Sequence, residues 1–157
     1  PPVPADEQRE SFQAVLAESL EKECSMDVLQ AVHGKLCGLI EDHKANKEEE
    51  PLAISRETVR QVLSSCGVEQ EHVEAFEQKY EETFGEDTEI RPQNLVNPRQ
   101  FEVRTPNVTI RVNPERTDLI ETRVINGAKY ILIRADEGVE VNGVSIHITP
   151  SEEENQT

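Results

Sequence analysis

The chain has 157 residues, 35% of them hydrophobic and 31% charged, with four Phe, two Tyr and no Trp. No stretch approaches the ~20 apolar residues of a membrane-spanning helix, and 32 acidic against 16 basic residues leave a formal charge of −16. A surface so negative repels phosphate backbones, which sets generic nucleic-acid binding aside.

Residues 5–84 carry helical spacing. A first helix is predicted over about 5–23, entered through Pro4, with Asp6, Glu7 and Glu10 near its positive end and Phe12, Val15, Leu16 and Leu20 on one stripe. Ser25 is a suitable N-cap for a second helix over 25–44, whose inward stripe is Val28, Leu29, Val32, Leu36, Leu39 and Ile40. Gly34 and Gly38 weaken that helix and, four residues apart, leave room for a close neighbour. Residues 45–51 read as a solvated connector ending at Pro51.

The third helix, over 55–66, has the clearest punctuation. Ser55 is placed to cap it, Ile54 and Val59 have the spacing of a hydrophobic staple, and Gly67 suits a left-handed stop. Its inward stripe is Val59, Val62, Leu63 and Cys66, with Val68 folding back onto the last turn. A fourth helix over 70–84 turns Val73, Phe76, Tyr80 and Phe84 inward and ends at Gly85. Two helices joined by a glycine turn resemble a DNA-reading motif, but nine acids and only Lys79 lie between Glu69 and Glu89. Such a helix is repelled by the groove it would have to enter.

Beyond Gly85 the period changes to two, the mark of strands. Phe101 and Val103 occupy odd positions and Val108, Ile110 and Val112 even ones, so a turn falls across Thr105-Pro106-Asn107. Asn126-Gly127 and Asn142-Gly143 are the preferred dipeptides of two-residue hairpin turns. The first sets Ile120 opposite Ile133, Thr122 opposite Ile131, Val124 opposite Lys129 and Arg123 opposite Tyr130. The second sets Val141 opposite Val144 and Val139 opposite Ile146. Ile120, Val124, Ile131 and Ile133 then share the face expected to pack in the core. The whole reads as α+β: about four helices followed by a small antiparallel sheet of about five hairpin-built strands. By region, 1–90 is helical, 91–149 is antiparallel β, and 150–157 is a disordered acidic tail.

Motifs for chemistry are scarce. Cys24, Cys37 and Cys66 are an odd number without a CxxC pair, and read as small core hydrophobes rather than a disulfide or zinc set. His33 and Cys37 stand at a spacing that metal ligands use, without a second ligand pair; boundary packing explains them. His72 and His147 read as solvated, with His72 titrating high among its carboxylates. Glu86, Asp87 and Glu89 lack the ligand order of a calcium loop. There is no nucleophile elbow and no phosphate-binding glycine loop. No catalytic residue, metal ligand, nucleotide or other cofactor is therefore expected. The chain begins at Pro1 without a leader, so the expected setting is the cytoplasm and the expected origin a piece of a longer protein. Without secretion the glycosylation patterns at Asn107 and Asn155 are idle.

One surface constellation stands out. Glu121, Arg123, Tyr130 and Arg134 share the hairpin face opposite the aliphatic one, beside Leu119, Ile125 and Leu132, with Arg123 across from Tyr130 and Glu121 diagonal to Arg134. Arg and Tyr beside aliphatic surface compose a contact patch.

Several segments carry a family resemblance: Val62-Leu63-Ser64-Ser65-Cys66-Gly67-Val68, Phe76-Glu77-Gln78-Lys79-Tyr80, Gln100-Phe101-Glu102-Val103-Arg104-Thr105-Pro106, Val112 to Arg123, Lys129 to Ala135 and Val139 to Val144. On these the chain resembles the C-terminal part of the bacterial family called domain of unknown function 4317. That resemblance implies a bacterial cytoplasmic context and a missing N-terminal region, and brings no catalytic residue or ligand with it. The leading functional expectation is a non-catalytic interaction or assembly module, with a protein partner or a second copy as its ligand and neither nucleic acid nor membrane. The alternative is an enzyme fragment whose carboxylates, such as Asp118 or Glu121, are completed by the missing region. Nucleic-acid binding would require Arg104, Arg111, Arg123 and Arg134 on one face.

Overall fold

A computed structural model describes residues 3–151. Four helices come first: α1 (Ala5–Leu20), α2 (Met26–Ala45), α3 (Arg56–Ser65) and α4 (Gln70–Phe84). Six strands follow: β1 (Phe101–Arg104), β2 (Thr109–Val112), β3 (Ile120–Ile125), β4 (Ala128–Ile133), β5 (Glu140–Val141) and β6 (Val144–Ser145). The class is α+β, as the periodicities indicate. No helix among the described residues is long and apolar enough to cross a membrane.

The helix ends are set by local chemistry. Ser25 caps α2, its hydroxyl oxygen accepting the Val28 N–H at 3.2 Å. Ser55 occupies the N-cap of α3 in extended conformation but makes no side-chain cap bond, contrary to its expected role. The staple beside it is present, with Ile54 and Val59 both buried in the core. Gly67, at φ +80, ends α3: the Val68 N–H donates to Leu63 O and the Gly67 N–H to Ser64 O, the paired bonds of a Schellman stop. Because that stop ends the stripe at Leu63 and folds Val68 inward, Cys66 is exposed rather than buried.

The chain divides into two compact units, Pro1–Thr117 and Asp118–Thr157. This division falls later than the helix-to-strand change near residue 90, because β1 and β2 belong with the helices. In the first unit, Phe12, Leu20, Leu36, Leu63, Val73, Phe76 and Tyr80 are fully buried. An antiparallel bridge between Ile54 and Ile90 closes the stretch that holds α3 and α4. Phe76, Tyr80 and Phe84 stack along α4 at centroid distances of 5.6 and 4.8 Å. β1 and β2 pair with Phe101 opposite Val112 and Val103 opposite Ile110, and the Thr105 hydroxyl receives the Asn107 and Val108 N–H groups at the turn.

Gly34 and Gly38 admit no close neighbour: a methyl group at either meets nothing within 4 Å. Each therefore weakens α2 without a packing return. Gly34→Ala and Gly38→Ala should each raise stability by up to about 1 kcal/mol, read as a higher urea midpoint at unchanged slope.

In the second unit both Asn-Gly corners form as expected, with Asn126 and Asn142 each at φ +50 and Gly127 and Gly143 at +84 and +80, the geometry of type I′ turns. The register also matches: Ile120 pairs with Ile133, Thr122 with Ile131, Arg123 with Tyr130 and Val141 with Val144.

Two expectations are corrected here. The strands make three separate two-stranded sheets, not one five-stranded sheet. The aliphatic face of the β3–β4 hairpin is also largely uncovered: Ile120 is 4% exposed, but Ile133 is 55% and Val124 69% exposed, with Ile131 half-buried. Alternation had decided which side chains share a face, and each hairpin, lacking a third strand, has too little width to bury its own. Of the acidic tail, residues 152–157 lie outside the described residues, as does the Asn155 pattern.

Candidate functional site

The hairpin patch is the site that the sequence singled out. Arg123 stands directly across from Tyr130 in the β3–β4 ladder, and both are exposed. Glu121 does not engage Arg134 diagonally. It pairs along its own strand with Arg123 at 2.8 Å, while Arg134 turns to Asp136, also at 2.8 Å. Residues two apart on a strand project from the same face, so the nearer same-strand pair forms in place of the diagonal one. Of the four residues, Glu121 and Arg123 thus form one ion pair, Arg134 forms another with Asp136, and Tyr130 belongs to neither. Exposed pairs of this kind contribute at most about 1 kcal/mol.

Uncovered apolar side chains are the larger feature of this unit. Besides Val124 and Ile133 on the first hairpin, Val141, Val144 (66% exposed), Ile146 and Ile148 (67% exposed) are open on the second hairpin and its flank, and Ile125 and Tyr130 on the opposite face of the first. A groove of about 670 Å³ runs between 135–139 and 145–150, with Val139, Ile146 and Ile148 on its walls. Sequence reading missed the part of this surface at Val124 and Ile133 by assigning those positions to a core.

The four arginines that nucleic-acid binding would recruit are each beside a carboxylate. Glu102 lies 3.9 Å from Arg104 and 3.6 Å from Arg111; Arg123 and Arg134 have the partners given above. Three carboxylates thus offset most of the charge of the four arginines, Arg104 and Arg111 sharing Glu102.

The first unit holds an open cleft of about 390 Å³ between α1, α2 and β1, lined by Arg9, Leu16, Leu29, His33, Val96 and Phe101 among others. Its polar groups are used within the chain. Arg9 donates to the carbonyls of Gln93 and Val96, and His33 Nε2 is 2.9 Å from Asn97 O with its ring edge-on to Phe101. Cys37 Sγ lies 3.5 Å from His33 Nδ1, a thiol–imidazole contact. Burial and then Glu41 push the Cys37 thiol pKa up. A nucleophile requires the opposite shift, so the raised thiol disfavours that role for Cys37. One carboxylate, Glu102, borders the cleft, so no two carboxylates converge there.

His72 is not solvated as the sequence suggested. It is half-buried, and its Nδ1 meets the Glu23 carboxylate, with Glu21 at 3.6 Å from Nε2. Glu23 also accepts the Glu69 N–H at 3.1 and 3.2 Å, so it caps α4 from the turn after α1. Glu23, Glu69 and His72 are close enough to share a metal ion, but capping α4 and bonding the imidazole already occupy Glu23.

The Glu23 hydrogen bond, followed by the charges of Glu23, Glu21 and Glu69, raises the His72 pKa above its usual 6.5. A group raised in the folded state adds stability below its unfolded pKa and loses it as pH rises through the folded value. The parent should therefore lose stability between about pH 6.5 and the upper end of the imidazole range. Glu23→Gln should flatten that slope in urea titrations across the same interval.

These features define an α+β chain with a packed helical unit and a hairpin unit whose apolar surface is open. The chain belongs to the family described as Domain of unknown function (DUF4317), whose profile matches residues 1–144. No curated protein and no solved structure matches it.

Proposed function

We propose that this chain is a non-catalytic interaction or assembly module of a bacterial cytoplasmic protein, and that its hairpin unit is the docking element. One observation carries the reading: Val124, Ile133, Val141, Val144 and Ile148 are each more than half exposed on three-dimensionally defined strands and their flank. Large apolar side chains left open in one small unit are the raw material of an interaction surface. Two-stranded hairpins gain stability from a further strand or covering layer, so a partner would complete the unit energetically as well as sterically. The locally paired arginines and the net charge of −16 favour a protein ligand over a nucleic acid. An enzyme-fragment reading has less support, since Glu121 is exposed and paired with Arg123 and the helical cleft has a single carboxylate on its border.

Site-specific photo-crosslinking in the producing cells tests this. A photoreactive residue replacing Val124, Val141 or Val144 should yield protein adducts, whereas one at exposed Glu74 on α4 should yield few. Equal, background-level adducts at all four positions would refute a docking role for the hairpins.

A further inference from the structure

We propose that the N-terminus of α3 and the buried hydroxyl of Tyr80 together form a binding site for inorganic phosphate. The site lies in the helical unit and goes beyond the docking role of the hairpins; neither reading needs the other.

Local contacts build the place. The antiparallel bridge between Ile54 and Ile90, with N–H to carbonyl distances of 2.8 and 2.9 Å, holds the start of α3 beside the loop that leaves α4. The Thr88 hydroxyl donates to Phe84 O at 2.7 Å and ties that loop to the last turn of α4. A pocket of about 210 Å³ is lined by Ser55, Arg56 and Glu57 from the helix start, by the loop residues Asp87 and Thr88, and by Tyr80.

The donors around it are unspent. The Ser55 hydroxyl makes no cap bond. The Thr58 N–H turns back to Ser55 O at 3.1 Å, which leaves the Arg56 and Glu57 N–H groups without an acceptor among the described residues. Such N–H groups, at the positive end of a helix, attract an anion. Tyr80 is an independent sign of a missing ligand atom: the side chain is 1% exposed, yet its hydroxyl has no partner. Phe76 and Phe84 flank its ring and neither lines the pocket, so the hydroxyl end of the side chain is what meets it. Buried polar groups in folded proteins are nearly always bonded, and an oxyanion in the pocket supplies the acceptor. Burial also holds the phenol protonated, its pKa pushed up to about 12, so it stays a donor at neutral pH.

The carboxylates select which anion. Glu57 is held by Arg60, whose Nε lies 2.8 Å from Oε2, and Arg56 Nη1 pairs with Glu81. Asp87 is the one lining carboxylate outside any ion pair among the described residues. A carboxylate repels a bare anion but accepts a hydrogen bond from one that retains a proton. Hydrogen phosphate retains one; sulfate does not, and a phosphomonoester has lost both above its second pKa of about 6. The Arg56 and Glu57 N–H groups, the Ser55 and Tyr80 hydroxyls and the Asp87 acceptor therefore match hydrogen phosphate in donors and acceptor together.

Titration of the full 157-residue chain with inorganic phosphate at about pH 8, followed by amide nuclear magnetic resonance, tests this. Phosphate should shift the Arg56 and Glu57 amides to saturation and leave Val144 unmoved. Sulfate and methyl phosphate at equal ionic strength should bind at least about tenfold more weakly. Tyr80→Phe should weaken phosphate at least about tenfold, and should raise the urea midpoint of the phosphate-free chain because the unmet hydrogen bond is gone. Ser55→Ala, which removes no existing bond, should weaken phosphate too. Asp87→Asn should bind sulfate as well as phosphate. Amide shifts no larger than those caused by chloride, or phosphate binding unchanged in both Tyr80→Phe and Ser55→Ala, would overturn the site. Equal affinity of the parent for sulfate, or an undiminished preference for phosphate in Asp87→Asn, would overturn the assignment of its ligand.

Discussion

Replacing Phe76 with alanine is expected to destabilise the helical unit by about 3–5 kcal/mol, the cost of emptying an aromatic site in a packed core. Phe76 is fully buried, on the inward stripe of α4 and 5.6 Å from the Tyr80 ring. Its loss removes an aromatic neighbour from Tyr80, whose hydroxyl is buried without a hydrogen-bond partner and whose pKa burial pushes up to about 12. That oxygen already costs stability, so the site has little to spare. Small domains hold a total of only about 5–15 kcal/mol, and the variant should melt at markedly lower temperature in circular dichroism at 222 nm, a wavelength that reports helix. A shift no larger than that of an exposed control such as Glu74→Ala would mean that the aromatic row is not the centre of this core.

The second large effect lies in the hairpin unit. Gly127→Val should abolish the β3–β4 pairing. Gly127 sits at φ +84, where a side chain costs about 1–2 kcal/mol and a β-branched one is a stronger outlier. A two-stranded ribbon has no comparable reserve. The expected result is loss of the cross-strand nuclear Overhauser contacts between Arg123 and Tyr130, while signals from α4 keep their positions. Persistence of those contacts would show that the turn does not set the ladder.

These two variants also mark where the sequence was informative. Helical stripes and asparagine–glycine corners are local: the spacing of Val73, Phe76, Tyr80 and Phe84, and the positive φ demanded at Asn126-Gly127, follow from neighbours in the chain. Hence four helices and both registered hairpins could be read off directly. What covers a strand's apolar face is not local. Ile133 and Ile120 belong to one ladder and share a face, yet one is 55% exposed and the other 4%, a difference that alternation does not encode.

The candidate site divides along the same line. Arg123 opposite Tyr130 followed from the turn, whereas Arg134 found Asp136 and Glu121 found Arg123, because a flexible side chain takes the nearest opposite charge. His72 looked solvated from its acidic helix, but Glu23, 49 residues earlier, folds onto it. Cys66 looked buried by period, and the glycine stop one residue later turned it outward. At His72 a contact remote in sequence, and at Cys66 a change of backbone direction, outweighed the periodic signal.

A docking surface made of hairpins has a plain physical advantage. Strand edges offer ordered rows of donors and acceptors, and the aliphatic side chains beside them add apolar area when covered. The helical unit, with its polar groups satisfied internally around Arg9 and His33, would then serve as the stable body that carries the docking element.

The central claim is that the strand faces of residues 118–151 are open in the isolated chain. Methyl-labelled nuclear magnetic resonance with a soluble gadolinium relaxation agent measures this at each side chain. The methyls of Val124, Ile133, Val141, Val144 and Ile148 should relax strongly, and those of Val73 and Leu63 should be nearly unaffected. Equal shielding of both groups would contradict the account.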